Sequence, residues 1–142
     1  MTGRGLDAVS GEPSPPLPAV DLRVDLALDP RFIAAVALFN AAAWYPCHDG
    51  FEELWQENLG PDRVVLQALL QIAVAHLHLE RGNAHGATVL LGEGLGRLAP
   101  FPDSTLGLDL GPLRAQVNAR LRCLQQNGDP SGLPLPALSL VR

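Results

Sequence analysis

The sequence predicts an all-α fold: a compact bundle of about five helices around a central, buried third helix, with proline-rich tails at both ends. Three observations predict it. Apolar residues recur at helical spacing through the middle of the chain, and no segment reads convincingly as a strand. Glycine, asparagine and proline interrupt that pattern at short intervals, as helix stops and starts do. One segment is apolar on every side, which marks a buried helix.

Residues 1–29 read as a tail, because "SGEPSPPLPAV" lacks the N–H donors and the backbone freedom that a helix or central strand needs. A single helical domain is expected over 30–128. Its first helix opens at "DPRF", with Asp29 as N-cap and Pro30 in the first helical position. Phe32, Val36, Phe39 and Ala43 then fall on one stripe. The second helix begins at Pro46 and ends near "NLGPD", where Gly60 and Pro61 stop it. The third runs from Asp62 to Arg81, and Gly82-Asn83 ends it. Val65, Leu69 and Ile72 lie on one side of it and Leu66, Leu70 and Leu77 on the other, so it is placed at the centre. The fourth covers Ala84 to Leu98, with Ala87, Leu90, Leu91, Leu95 and Leu98 on one side. The fifth follows "APFPDSTLGLDLGP"; its stripe is Leu113, Val117, Leu121 and Leu124, and Asn127-Gly128 closes it. Residues 129–142 form a leucine-bearing tail, with two outcomes open: it packs back onto the body, or it stays mobile. Short links make consecutive helices antiparallel neighbours.

A chain of 142 residues with 47% hydrophobic and 18% charged residues suits one domain with a real core. No apolar run is long enough for a membrane span, so no membrane is expected. The N-terminus lacks a basic flank followed by an apolar stretch, which argues against a signal peptide and for a cytoplasmic protein. Net charge is −5, and the 10 basic residues are all Arg and scattered. Phosphate-backbone binding needs clustered positive charge, so no nucleic acid is expected as partner. Two cysteines, Cys47 and Cys123, are too few for a disulfide framework or an all-cysteine zinc site.

The chemistry concentrates in "YPCHDGFEELW", residues 45–55. With His48 as the zero direction on the second helix, Trp55 and Leu59 lie about 20° to either side, and Glu52 about 40° away. His48 and Glu52 thus sit one turn apart at the edge of the apolar arc. Asp49 and Glu53 point about 100° and 140° away, toward water. On the third helix Gln67, Gln71 and His78 make one polar stripe, within about 40°. Unpaired buried polar groups are costly, so the simplest arrangement brings His48, Glu52, Gln71 and His78 together. Three readings of such a cluster stay open. It is a hydrogen-bonded network that fixes how two helices dock, a site for one divalent metal, zinc or manganese, or a small-molecule pocket without metal. In the second case His48, Glu52 and His78 are the ligands, Gln71 supports them, and water takes an open position. Asp49 or Glu53 is then the candidate general base.

Other signals carry less. "HD" matches half of the paired ligands of metal phosphohydrolases, but that arrangement needs a His well upstream, and His48 is the first in the chain. "HDGFE" has Glu52 where the zinc-protease pattern has its second His. "GEGLG", residues 92–96, lacks the preceding strand of a dinucleotide site; its glycines are expected to admit another backbone. Cys47 reads as a small buried residue rather than a nucleophile. His76 and Glu80 read as a surface or interface pair, and His85 as exposed.

From Phe39 to about Leu98 the chain resembles the bacterial and archaeal family called domain of unknown function 309. The resemblance is carried by "FNAAAWYPCHDGFEELW" and "LQALLQIAVAHLHLERGNAHGATVLLGEGL". Phe39, Asn40, His48, Asp49, Glu52, Glu53, Trp55, Gln67, Gln71, His78, Gly82, Asn83, Gly86 and Ala87 fall on its pattern, and "YPCHD" looks most like cyanobacterial members. Ala68 stands where a Gly is common, and Asp49 where many members have Glu. The resemblance implies an all-α fold. It also brings the label "predicted metal-dependent hydrolase", itself a label drawn from sequence pattern. Two functions are therefore expected in competition: a structural or interaction domain acting through a homodimer or protein partner, and a metal-dependent hydrolase.

Overall fold

The structure, a computed structural model, describes residues 25–141. The proline-rich stretch ahead of them lies outside the described residues. A 3-10 turn, Leu26–Leu28, buries Leu26. Helix α1, Pro30–Asn40, starts as its caps require: the Asp29 carboxylate accepts from the Arg31 N–H, and Pro30 takes the first position. Helix α2, Trp44–Glu57, begins two residues before Pro46, whose missing N–H falls in the first turn and costs no helical bond. Helix α3 is Asp62–Glu80, α4 Ala84–Leu98 and α5 Leu110–Gln125. Gly82, at φ 76°, turns the chain out of α3, and Asn83 caps α4 by accepting from the Gly86 N–H.

Consecutive helices pack on one another, so α3 lies between α2 and α4. Its Val65, Leu66, Ala68, Leu69, Ile72, Ala73 and Ala75 are fully buried. Phe32 and Phe39 of α1, Phe51 and Leu54 of α2, Leu91 and Leu98 of α4, and Leu110, Leu113 and Val117 of α5 belong to the same core. Each large aliphatic side chain so buried contributes about 1.5–3 kcal/mol.

The expectation of no strand needs correcting. Ser104–Thr105 (β1) and Leu108–Asp109 (β2) form a hairpin, and Ser139–Leu140 (β3) pairs antiparallel with β2. The hairpin turns on Leu106 and Gly107, both at positive φ, as tight hairpins require. Strands of two residues are too short to show alternation. The C-terminal segment packs back onto the body. Asn40 Nδ2 donates to the Leu138 carbonyl at 2.9 Å, and the Leu138 N–H donates to Asn40 Oδ1 at 2.7 Å. Arg120 donates to the carbonyls of Leu133 and Pro134, and Gln116 accepts from the Ala137 N–H. No helix among the described residues is long and apolar enough to cross a membrane.

One of the three glycines of "GEGLG" is where α3 and α4 come closest. A Cβ on Gly94 would lie 2.9 Å from Ile72 Cγ1 and 3.3 Å from the Ala68 carbonyl oxygen, whereas one on Gly92 or Gly96 would meet nothing within 4 Å. Gly94→Ala should therefore lower stability in urea titration by about 1–3 kcal/mol through overpacking. Gly92→Ala and Gly96→Ala should raise it by up to about 1 kcal/mol through helix propensity. Equal effects at all three positions would refute the close approach.

Candidate functional site

Helix α2 presents its polar residues as the wheel sorts them. Cys47 is buried, and burial pushes its thiol up to about 12, which removes it as a nucleophile. His48 stands at the edge of the buried face, its side chain 28% exposed, against 62% for Asp49 and 39% for Glu52. Its ring lies between the two carboxylates: Nδ1 is 3.2 Å from Asp49 Oδ1, and Nε2 is 3.3 Å from Glu52 Oε1. One ligand atom from each of these three residues lies within 4.8 Å of the others. Tyr45, exposed on the preceding turn, has its ring centroid 6.3 Å from that of His48. Glu53 is paired with Arg31 at 3.1 Å; Arg31 also reaches Glu57 at 2.7 Å and Asp29 at 3.0 Å. Leu59, counted with the apolar arc in the sequence, lies beyond the end of α2 and is 87% exposed.

The structure does not assemble the four-residue buried cluster. Gln71 Nε2 donates to Glu93 Oε1 of α4 at 2.8 Å, and His78 Nδ1 accepts from Asn83 Nδ2 at 3.1 Å. His78 is not among the groups that could share an ion with His48 and Glu52. The polar stripe of α3 thus serves α4 and the turn leading into it. A helical wheel fixes angles within one helix and leaves open which neighbour each face meets.

The surface or interface reading of His76 also needs correcting. His76 is only 2% exposed. Its ring stacks on Trp44, centroids 4.6 Å apart and planes 27° apart, and its Nδ1 lies 2.8 Å from the Ile72 carbonyl oxygen. That carbonyl fixes Nδ1 as the donor, which leaves the lone pair on Nε2; Nε2 is buried and has no partner among the described residues. The signal was available. Val65, Leu69, Ile72 and His76 fall within about 60° of one another on the wheel, so the apolar stripe runs into the histidine. Arg120 of α5, only 4% exposed, is the second buried polar residue, and the sequence did not single it out.

Residues 32–90 match the family model described as Domain of unknown function (DUF309). The chain contains a DUF309 domain. It spans α1 to the middle of α4 and so includes the α2 patch, His76 and His78, while Arg120 and the C-terminal segment lie beyond the match. No curated protein matches the chain.

Burial lowers the His76 imidazole from 6.5 to about 4; the bond with the Ile72 carbonyl opposes this, and the Arg120 charge adds to it. Below pH 6.5 the unfolded chain binds a proton there that the folded chain refuses. Stability from this residue is therefore complete above pH 6.5 and lost as pH falls toward 4, by about 3 kcal/mol in all. The urea midpoint should decline over that window, and His76→Phe, which keeps the stack, should flatten the decline. A variant profile parallel to the wild type would refute the assignment.

Proposed function

We propose that the DUF309 domain works as a binding module, with His48, Asp49, Glu52 and Tyr45 on the open face of α2 as its contact surface. One observation carries this reading: His48, Asp49 and Glu52, all on the family pattern, converge at the solvent edge of α2, while three clefts open beside Arg31, His76 and Ile33. A patch of two carboxylates, one imidazole and one phenol suits a protein segment that presents arginine or lysine, on a partner or on a second copy of this chain. Exposed pairs of this kind contribute only about 0–1 kcal/mol to folding, so a role in the fold does not account for them.

A second reading follows from the convergence of ligand atoms within 4.8 Å. His48, Asp49 and Glu52 would hold one divalent ion, zinc or manganese, with positions left open to solvent. Such an ion, when bound, supplies water activation for hydrolysis. The chain's own part in that chemistry is thin. Asp49 becomes a ligand and Glu53 is engaged by Arg31, so neither carboxylate is left free to act as the general base. His78 is not within the group of ligand atoms that would share this ion.

A photocrosslinking residue at position 45, in cells of the source organism, separates the two. The binding reading expects a discrete adduct, with a partner or a second copy, that disappears in His48→Ala/Glu52→Ala while the melting temperature of the double variant stays within a few degrees of wild type. Absence of any adduct, with one equivalent of zinc or manganese in untagged protein that is lost in His48→Ala, would overturn it in favour of the metal site.

A further inference from the structure

A cleft of about 380 Å³ lies between Trp44, His76 and Leu79 on one wall and Arg120, Asp129 and Leu133 on the other. It falls in the size range of small-molecule sites, largely apolar with a few convergent polar groups. Two of those groups are incompletely satisfied. His76 Nε2 is buried and unpartnered among the described residues, and its tautomer makes it a hydrogen-bond acceptor. Arg120 has no carboxylate partner among the described residues. Its Nε donates to the Pro134 carbonyl at 3.0 Å and its Nη2 to the Leu133 carbonyl at 2.8 Å, so the side chain is fixed while Nη1 has no acceptor among the described residues. A guanidinium held this way, largely removed from water and lacking a counter-charge, favours an anion in the adjoining space.

We propose that this cleft binds a small organic acid that carries a hydrogen-bond donor next to its carboxylate, the pattern shared by α-amino and α-hydroxy acids. The carboxylate sits on Arg120 Nη1, and the neighbouring ammonium or hydroxyl donates to His76 Nε2. The apolar remainder lies along Trp44, Leu79 and Leu133. Glu80 and Asp129 also line the cleft, and their carboxylates favour a ligand that carries a donor beside its acid over a bare anion. A simple monoanion would satisfy Arg120 and leave His76 unpaired. A simple amine would do the reverse.

NMR titration of the full chain tests this, with the Trp44 indole and His76 imidazole resonances as readout. The probes are L-leucine, 2-hydroxy-4-methylpentanoate, 4-methylpentanoate, which lacks the donor, and 3-methylbutylamine, which lacks the carboxylate. At least one of the first two should shift both resonances, and the last two should bind roughly tenfold or more weakly. His76→Phe should weaken the best probe roughly tenfold while preserving the ring stack. That variant leaves the Arg120 bonds to the C-terminal loop intact, so the result does not depend on an Arg120 variant folding. Tighter binding of leucine would identify the ammonium as the donor, and tighter binding of the hydroxy acid the hydroxyl. No shift with any probe at roughly 10 mM, a limit set for fragments of this affinity class, or an undiminished shift in His76→Phe, would overturn the proposal and leave Arg120 as a clamp on the loop.

Discussion

Everything in this domain depends on how closely α4 lies against α3, a separation that leaves no room for a methyl group at Gly94. With α4 on one side and α2 on the other, the middle of α3 is sealed from water, and seven of its residues have no exposed surface. The seal also decides where polar groups can go. Gln71 and His78 lie toward α4, where Glu93 and Asn83 meet them. Asn83 does two things at once, because its oxygen caps α4 and its nitrogen holds His78. The tight seam and its polar edge therefore belong to one arrangement, in which the turn that brings α4 back also satisfies the last histidine of the buried rod.

The opposite flank of α3 meets the chain's ends. His76 continues the apolar stripe and is covered by Trp44 from the start of α2. Behind it come Arg120 and the loop that Arg120 holds by its carbonyls. Asn40 ties the same C-terminal segment to the end of α1 with a pair of bonds that mimic strand pairing. A segment with little secondary structure of its own is thereby fixed by side-chain amides and a guanidinium. In the sequence its prolines left open whether it packs or stays mobile, since proline content reports the lack of a helix and not the lack of a place.

Local rules were legible and rotations were not. Asp29-Pro30, Gly82-Asn83 and Asn127-Gly128 mark helix ends because caps and left-handed residues act within a few positions of the chain. The all-round apolar character of α3 made its burial legible, and the wheel separated His48 and Glu52 from Asp49 and Glu53 correctly. Which face of α3 would meet α2 lay beyond it. That rotation is set by packing across the whole core, including a glycine on a third helix. The four-residue cluster failed for this reason. The burial of His76 was half legible: its stripe was written in Val65, Leu69 and Ile72, but its covering comes from Trp44 and from α5, far away in the chain.

The two candidate sites differ in how much of each the DUF309 segment contains. The α2 patch is complete within residues 32–90, so any chain with the same segment has the means to build it. The cleft is composite. Trp44, His76 and Leu79 lie inside the match, while Arg120 and the loop from Asp129 to Leu135 lie outside it. A stacked imidazole with a free lone pair is by itself only an uncharged polar wall. It becomes one half of a two-point recognition element when a guanidinium is brought opposite, and here the guanidinium arrives on α5, held by the loop that closes the cleft. The selectivity of the cleft therefore resides in the part of the chain that follows the DUF309 segment.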